Sequence, residues 1–231
     1  MSTIDASQLL RPGLLDGVSI LLAGAHASAG GSAADAQGAF VPAVRDACAE
    51  LGGLVSDCAL FDTGSATLDE GAIEGAVGHA VDQTGSIDLL VVDGAGLFAR
   101  AGKCERGVDG GEDAASDAAR HALVACLDAS WNVTRAVAGS AFLPESRGGR
   151  IVYLAPSANA GEHADAARAG LENLARTLSI EWARHAITTV AVAPGAATAP
   201  GEVAALTAYL ASPAGAYFSG CQLDLRGPAP Q

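Results

Sequence analysis

Between residues 153 and 168 the chain carries the Tyr153 phenol, the Ser157 hydroxyl, the His163 imidazole and the Arg168 guanidinium. Such a set could move a proton near neutral pH. An imidazole titrates there unaided, and a phenol does so once an adjacent cation lowers its pKa. The stretch "GEHADAARAG" (161–170) reads as a helix start. Yet Ala164, which cannot titrate, stands four residues before Arg168, where a partner would share its helix face. A second feature lies near the N-terminus. "AGAHASAG" (23–30) sets Gly24, Ser28 and Gly30 behind an apolar run. Backbone amides of such a turn can approach a phosphate at a helix N-terminus. A turn that needs glycine for positive φ gives the same pattern.

Counts exclude other chemistry. Lys103 is the only lysine, so no mechanism can use a lysine elsewhere. The five cysteines are odd in number and show no CxxC spacing, which argues against a disulfide framework or a zinc knuckle. The five histidines form no HxxxH pair, and no metal site is expected. Twenty-six acids against 13 bases give a net charge of −13, which repels a nucleic-acid backbone. No apolar run of membrane-spanning length occurs. "MSTIDASQLLRPG" lacks the basic and apolar regions of a signal peptide, so a cytoplasmic protein is expected. One domain over 1–231 is expected, with 1–16 as an N-terminal extension and 228–231 as a tail.

The elements that must position these residues alternate. "GVSILLAG" (17–24), "CALFD" (58–62), "IDLLVVDGAG" (87–96), "GRIVYLAP" (149–156), "ITTVAVAPG" (187–195) and "CQLDL" (221–225) read as strands. Helices are expected over 41–53, 67–85, about 112–142, 165–185 and 202–212, with a loop over 97–111. In the fourth of these, Ala164, Ala167, Leu171, Leu174, Leu178 and Trp182 fall on one face. Continuous apolar strands alternating with helices predict a doubly wound, Rossmann-like α/β domain with a parallel sheet. In that class ligands bind beyond the carboxyl ends of the strands.

The strand-end residues resemble the short-chain dehydrogenase/reductase family. The resemblance runs from about Val18 to Gly227 and is strongest in "GRIVYLAPS", "ARAGLENLARTLSIEWARHAITTVAVAPG" and "AYLASPAGAYFSGCQLDLRG". "IDLLVVDGAG" is similar to the family's strand ending in Asn-Asn-Ala-Gly. It implies a bound NAD or NADP and hydride transfer, run by a Ser, a Tyr and a Lys in Tyr-x-x-x-Lys, and a helper Asn. Position by position, the serine place is Pro156, with Ser157 one residue late, and the tyrosine place is Ala164. The lysine place is Arg168 and the asparagine place Cys126. Halohydrin dehalogenase-like relatives also carry Arg for Lys, but they keep the Ser and Tyr that this chain lacks.

The same resemblance implies a cofactor contact set of Gly24, Ser28, Gly30, Asp62, Ala95, Gly96, Pro194, Gly195 and Thr198, with Asp57 as another nucleotide candidate. The segment from Gly30 to Asp62 barely holds the usual two strands and two helices, so the second strand and its following helix are expected to be abbreviated or missing. After Pro194-Gly195, "AATAP" runs straight into the next helix, so no substrate lid is expected. Whether a nicotinamide cofactor binds stays open. The leading expectation is a catalytically inactive or impaired member, acting through a homo-oligomer or a hetero-oligomer with an active homologue. An active oxidoreductase with rearranged acid/base residues, using His163, Arg168, Ser157 and Tyr153, is one alternative. A nucleotide- or metabolite-binding module without turnover is another.

Overall fold

In "SILLAG", Leu21 and Ala23 face one layer of helices, and Ile20 and Leu22 face the other. That alternation is what a strand buried on both faces requires. The structure is a computed structural model that describes residues 6–24, 40–60, 70–105 and 112–226. Its elements run α1 (Ala6–Leu9), β1 (Ser19–Gly24), α2 (Phe40–Glu50), β2 (Leu54–Ala59), α3 (Glu70–Thr84), β3 (Leu89–Val92), α4 (Gly94–Glu105) and α5 (Glu112–Val137). Then come β4 (Gly149–Leu154), α6 (Ala164–Glu181), β5 (Ile187–Ala193), α7 (Pro200–Ala211) and β6 (Cys221–Asp224).

The six strands form one sheet in the order β2-β1-β3-β4-β5-β6, every pair parallel. Helices α3, α5 and α6 cover one face, whose core holds Val77, Val133, Tyr153 and Leu171. Helices α1, α2 and α7 cover the other, around Val44, Val91, Val192 and Ala208. The doubly wound α/β expectation is met. Ala23, Val92, Tyr153 and Ala191 stand in one register row, so the carboxyl ends of β1, β3, β4 and β5 open onto a common crevice. The order reverses at β1, between β2 and β3, which makes that end the switch point.

Three local expectations change. The strand expected at 58–62 lies at Leu54–Ala59, paired with β1 from Ser19↔Leu54 to Gly24↔Ala59. It is the sheet's edge strand and half-exposed, so its sequence lacks the apolar run that marks the inner strands. Among the described residues β2 is the one strand between β1 and β3, which is where the expected abbreviation appears. The strand expected at 87–96 ends at Val92. Residues 94–105 form α4, where a loop is expected from 97 onward. Helix α5 follows the expected span and continues through a π-helical turn, Ala138–Phe142. On α6, Ala164, Ala167, Leu171 and Leu178 are buried as the spacing predicts, while Leu174 and Trp182 are half-buried. Residues 194–199 alone join β5 to α7, with no lid between them. Among the described residues no helix is long and apolar enough to cross a membrane.

Candidate active site

Among the described residues, the crevice is bordered by those that follow β3, β4 and β5 and by the start of α6. Arg168 lies one turn into α6 and points inward; it is 5 % exposed. Its Nη1 donates to the Pro156 carbonyl at 2.8 Å and to the Pro194 carbonyl at 2.6 Å. Both Nη1 protons are thereby used, and the guanidinium ties the loop after β4 to the loop after β5. Burial pulls its pKa down, offset in part by Asp224 and Asp165. The Asp165 carboxylate is exposed and 3.9 Å from Nε. Ala164, one turn earlier on α6, is fully buried against the core.

The other sequence candidates are brought to different places. Tyr153, next to last in β4, is fully buried, with its hydroxyl 2.9 Å from the Thr134 hydroxyl of α5. Burial raises its pKa, and it lies under the sheet's helical cover, away from the crevice. Ser157 is half-buried in the loop after β4, its carbonyl accepting from the Ala160 amide at 3.0 Å. His163 is half-buried at the start of α6 with a left-handed backbone, φ 63°, and its Nε2 is 3.7 Å from a Glu162 carboxylate oxygen. Cys126 is buried on α5, donating to the Gly94 carbonyl at 3.3 Å. Burial, with Asp93 nearby, pushes its thiol up to about 12, so it stays protonated and unreactive at neutral pH.

Asp93 was missed by the sequence reading. It follows β3 and caps α4, accepting the Gly96 amide at 2.9 Å. An Asp before a helix is an N-cap signal; the Gly-Ala-Gly after it hid the helix, because glycine reads as strand end. The carboxyl is fully buried, and that burial pushes it up to about 6 against the Gly96 hydrogen bond. Gly24 and Gly96 are the residues that make room for it. A Cβ on Gly24 would meet the Asp93 Cβ at 2.7 Å, and one on Gly96 its Oδ2 at 2.2 Å. Next to it, Gly94 occupies the second place of the family's Asn-Asn-Ala-Gly. A Cβ there would lie 2.7 Å from Leu171 and 2.9 Å from the Leu154 carbonyl. Gly94→Ala is expected to cost about 1–3 kcal/mol in urea unfolding; an unchanged midpoint would mean that α6 has slack against the end of β3.

At the end where the family's nicotinamide would lie, the turn after β5 is held by the chain's own hydrogen bonds. Thr198 accepts the Gly195 amide at 2.8 Å and donates to the Leu225 carbonyl at 3.1 Å. Pro194 and Gly195 are buried, and Arg226 stands over Gly195, paired to Asp224 with Nε to Oδ2 at 2.7 Å. Ala95 is buried in α4. Of the adenosine-side candidates, Gly24 is placed as above, while Ser28, Gly30 and Asp62 lie outside the described residues. Asp57 is held by Arg45 of α2 as a two-pronged ion pair. Among the described residues, the cation at the place that would hold the nicotinamide ribose is tied to two backbone carbonyls. Among the described residues no three His, Cys, Asp or Glu side chains gather as a metal site.

The short chain dehydrogenase family profile matches residues 41–207. Solved structures agree in fold. A short chain dehydrogenase from Mycobacterium smegmatis superposes with a TM-score of 0.64 at 22% identity, covering 100% of this chain and 98% of that one. A short-chain dehydrogenase/reductase from Serratia marcescens gives 0.63 at 24%, over 90% and 95%. A hydroxysteroid dehydrogenase from Escherichia coli gives 0.63 at 17%, over 94% and 99%. With its parallel six-stranded sheet, its Pro194-Gly195 turn and a profile match that spans most of its length, the chain belongs to the short-chain dehydrogenase family.

Proposed function

We propose that this chain is a non-catalytic member of its family that acts in the cytoplasm by association, with itself or with an active homologue. The observation that carries the reading is the state of Arg168. A cation bonded to the carbonyls of Pro156 and Pro194 braces the crevice rather than activating a phenol, and no phenol stands at Ala164 for it to activate. Association draws support from apolar side chains left in water. Val124 is 49 % exposed, Trp131 39 % and Ile180 79 %, the first two on α5 and the third on α6.

Titration with NADH and NADPH, followed by nicotinamide fluorescence, is expected to show no saturable binding at micromolar protein, and gel filtration a species larger than one chain. Micromolar nucleotide binding would remove the expectation that no nicotinamide cofactor binds. A lone monomer with no co-eluting homologue would remove association.

A second reading keeps redox chemistry, with His163 as the proton donor. It draws on a cavity of about 190 Å³ lined by Phe98, Ala122, Ala160 and Glu162, the last of these next to His163 in the chain. Turnover of a carbonyl substrate that His163→Ala abolishes would establish it over the first.

A further inference from the structure

Strand β2, Leu54–Ala59, ends the sheet. The Leu54 amide donates to the Val18 carbonyl at 2.9 Å and the Leu60 amide to the Gly24 carbonyl at 3.1 Å. Backbone groups alternate in direction along a strand. Those of Leu54, Ser56 and Cys58 therefore turn to β1, and those of Val55, Asp57 and Ala59 turn to the open edge. Among the described residues no strand meets them there. Natural edges are commonly blunted by a lysine, a proline or a bulge. This one has none: "LVSDCA" carries neither residue, and its pairing with β1 runs unbroken from Ser19↔Leu54 to Gly24↔Ala59. Its one charge, Asp57, is held by Arg45 of α2. Its first residue, Leu54, is 54 % exposed and shares a face with the buried Cys58.

We propose that the chain pairs with a second copy of itself through the open edge of β2, antiparallel about a two-fold axis through Ser56, so that one sheet runs through both copies. The inference rests on the reading that the chain acts by association, and names the surface and the partner. The register follows from the side chains. With the axis at Ser56, Val55 of each copy lies opposite Asp57 of the other, and each such pair exchanges both of its edge hydrogen bonds. Leu54 comes to lie against Cys58 of the second copy, which covers the exposed leucine with an apolar neighbour. The two Asp57 carboxylates become diagonal neighbours, about 7–8 Å apart. Each brings its own Arg45, and a guanidinium with five donors serves more than one carboxylate. An axis through Asp57 would instead set the two carboxylates face to face, and one through Val55 would set Leu54 against Ser56. A second copy is favoured over a foreign strand because the edge supplies its own apolar cover and its own compensating charge in a single register.

The test is cross-linking of the full chain, with sedimentation beside it. In the proposed register Ser56 faces itself in a non-hydrogen-bonded pair, with Cα atoms about 4.5 Å apart, within the range a disulfide spans. Ser56→Cys under mild oxidation is therefore expected to run as a reducible, covalently linked pair of chains, at a yield about tenfold or more above the wild type with its native cysteines. Asp57→Cys, whose thiols would stand diagonally across the axis, should link far less. Leu54→Lys places a charge on the covered apolar contact and adds the guard the edge lacks. It should raise the dissociation constant about tenfold or more and halve the sedimenting mass near that concentration. Its circular dichroism spectrum should not change, because Leu54 is on the surface. A Ser56→Cys chain that stays unlinked, preferential linking through Asp57→Cys, or a Leu54→Lys chain that sediments like the wild type overturns the proposal. If the wild type is nonetheless larger than one chain, association stands and only this interface fails. A wild-type monomer at about 100 μM overturns the proposal too, and without a co-purifying homologue it overturns the reading on which the proposal rests.

Discussion

Replacing Arg168 by alanine should lower the free energy of unfolding by about 3 kcal/mol, read from the urea midpoint at an unchanged slope. The carbonyls of Pro156 and Pro194 lose their donor together, and each buried acceptor left without one costs about 1–3 kcal/mol. Removing a guanidinium whose burial is itself unfavourable offsets part of that loss. Arg168→Lys, which restores the family's residue, keeps the charge and should cost less, about 1–2 kcal/mol. A single ammonium at the end of a flexible stem replaces a planar fork between two fixed carbonyls. Neither variant should gain carbonyl reduction, because Ala164 and Pro156 still offer no proton donor and no substrate-orienting hydroxyl. If Arg168→Ala unfolds within about 0.5 kcal/mol of the wild type, the brace across the crevice is not what holds this residue in place.

The brace also marks the limit of what was legible from the sequence. The inner strands β1, β3, β4 and β5 announce themselves as apolar runs because both their faces are buried, and the stripe of α6 announces itself because one face is. The replacements at Pro156, Ala164 and Arg168 were readable by position alone. What Arg168 does was not, because its acceptors are backbone carbonyls 12 and 26 residues away, and a carbonyl has no letter in the sequence. Helix α4 was hidden for a different reason. Gly94 and Gly96 weaken any helix prediction, yet both are required here: Gly94 by the approach of Leu171 and Leu154, Gly96 by the buried Asp93 carboxyl. Close packing overrode local preference at the end of β3.

The burial of Asp93 at that point yields the second large effect, in the pH dependence of stability. The Asp93 carboxyl is raised from its ordinary 3.8 to about 6 because burial opposes its charge more than the Gly96 amide favours it. The folded chain therefore holds this proton more tightly than the unfolded one. Its stabilising contribution is fully present below about pH 4 and is lost as pH rises through about 6. The difference amounts to about 3 kcal/mol at pH 7.5, at 1.36 kcal/mol per pH unit. Asp93→Asn keeps an acceptor for the Gly96 amide and carries no charge, so it should gain about 2–3 kcal/mol over the wild type at pH 7.5. The gain should shrink to within about 0.5 kcal/mol at pH 4, where both side chains are neutral. The comparison between the two chains isolates Asp93, since the other carboxylates titrate alike in both. Urea unfolding across pH 4 to 8 reads it directly. A difference that does not change with pH would mean that Asp93 is solvated in the folded chain, and that the crevice at the switch point is open enough to admit water.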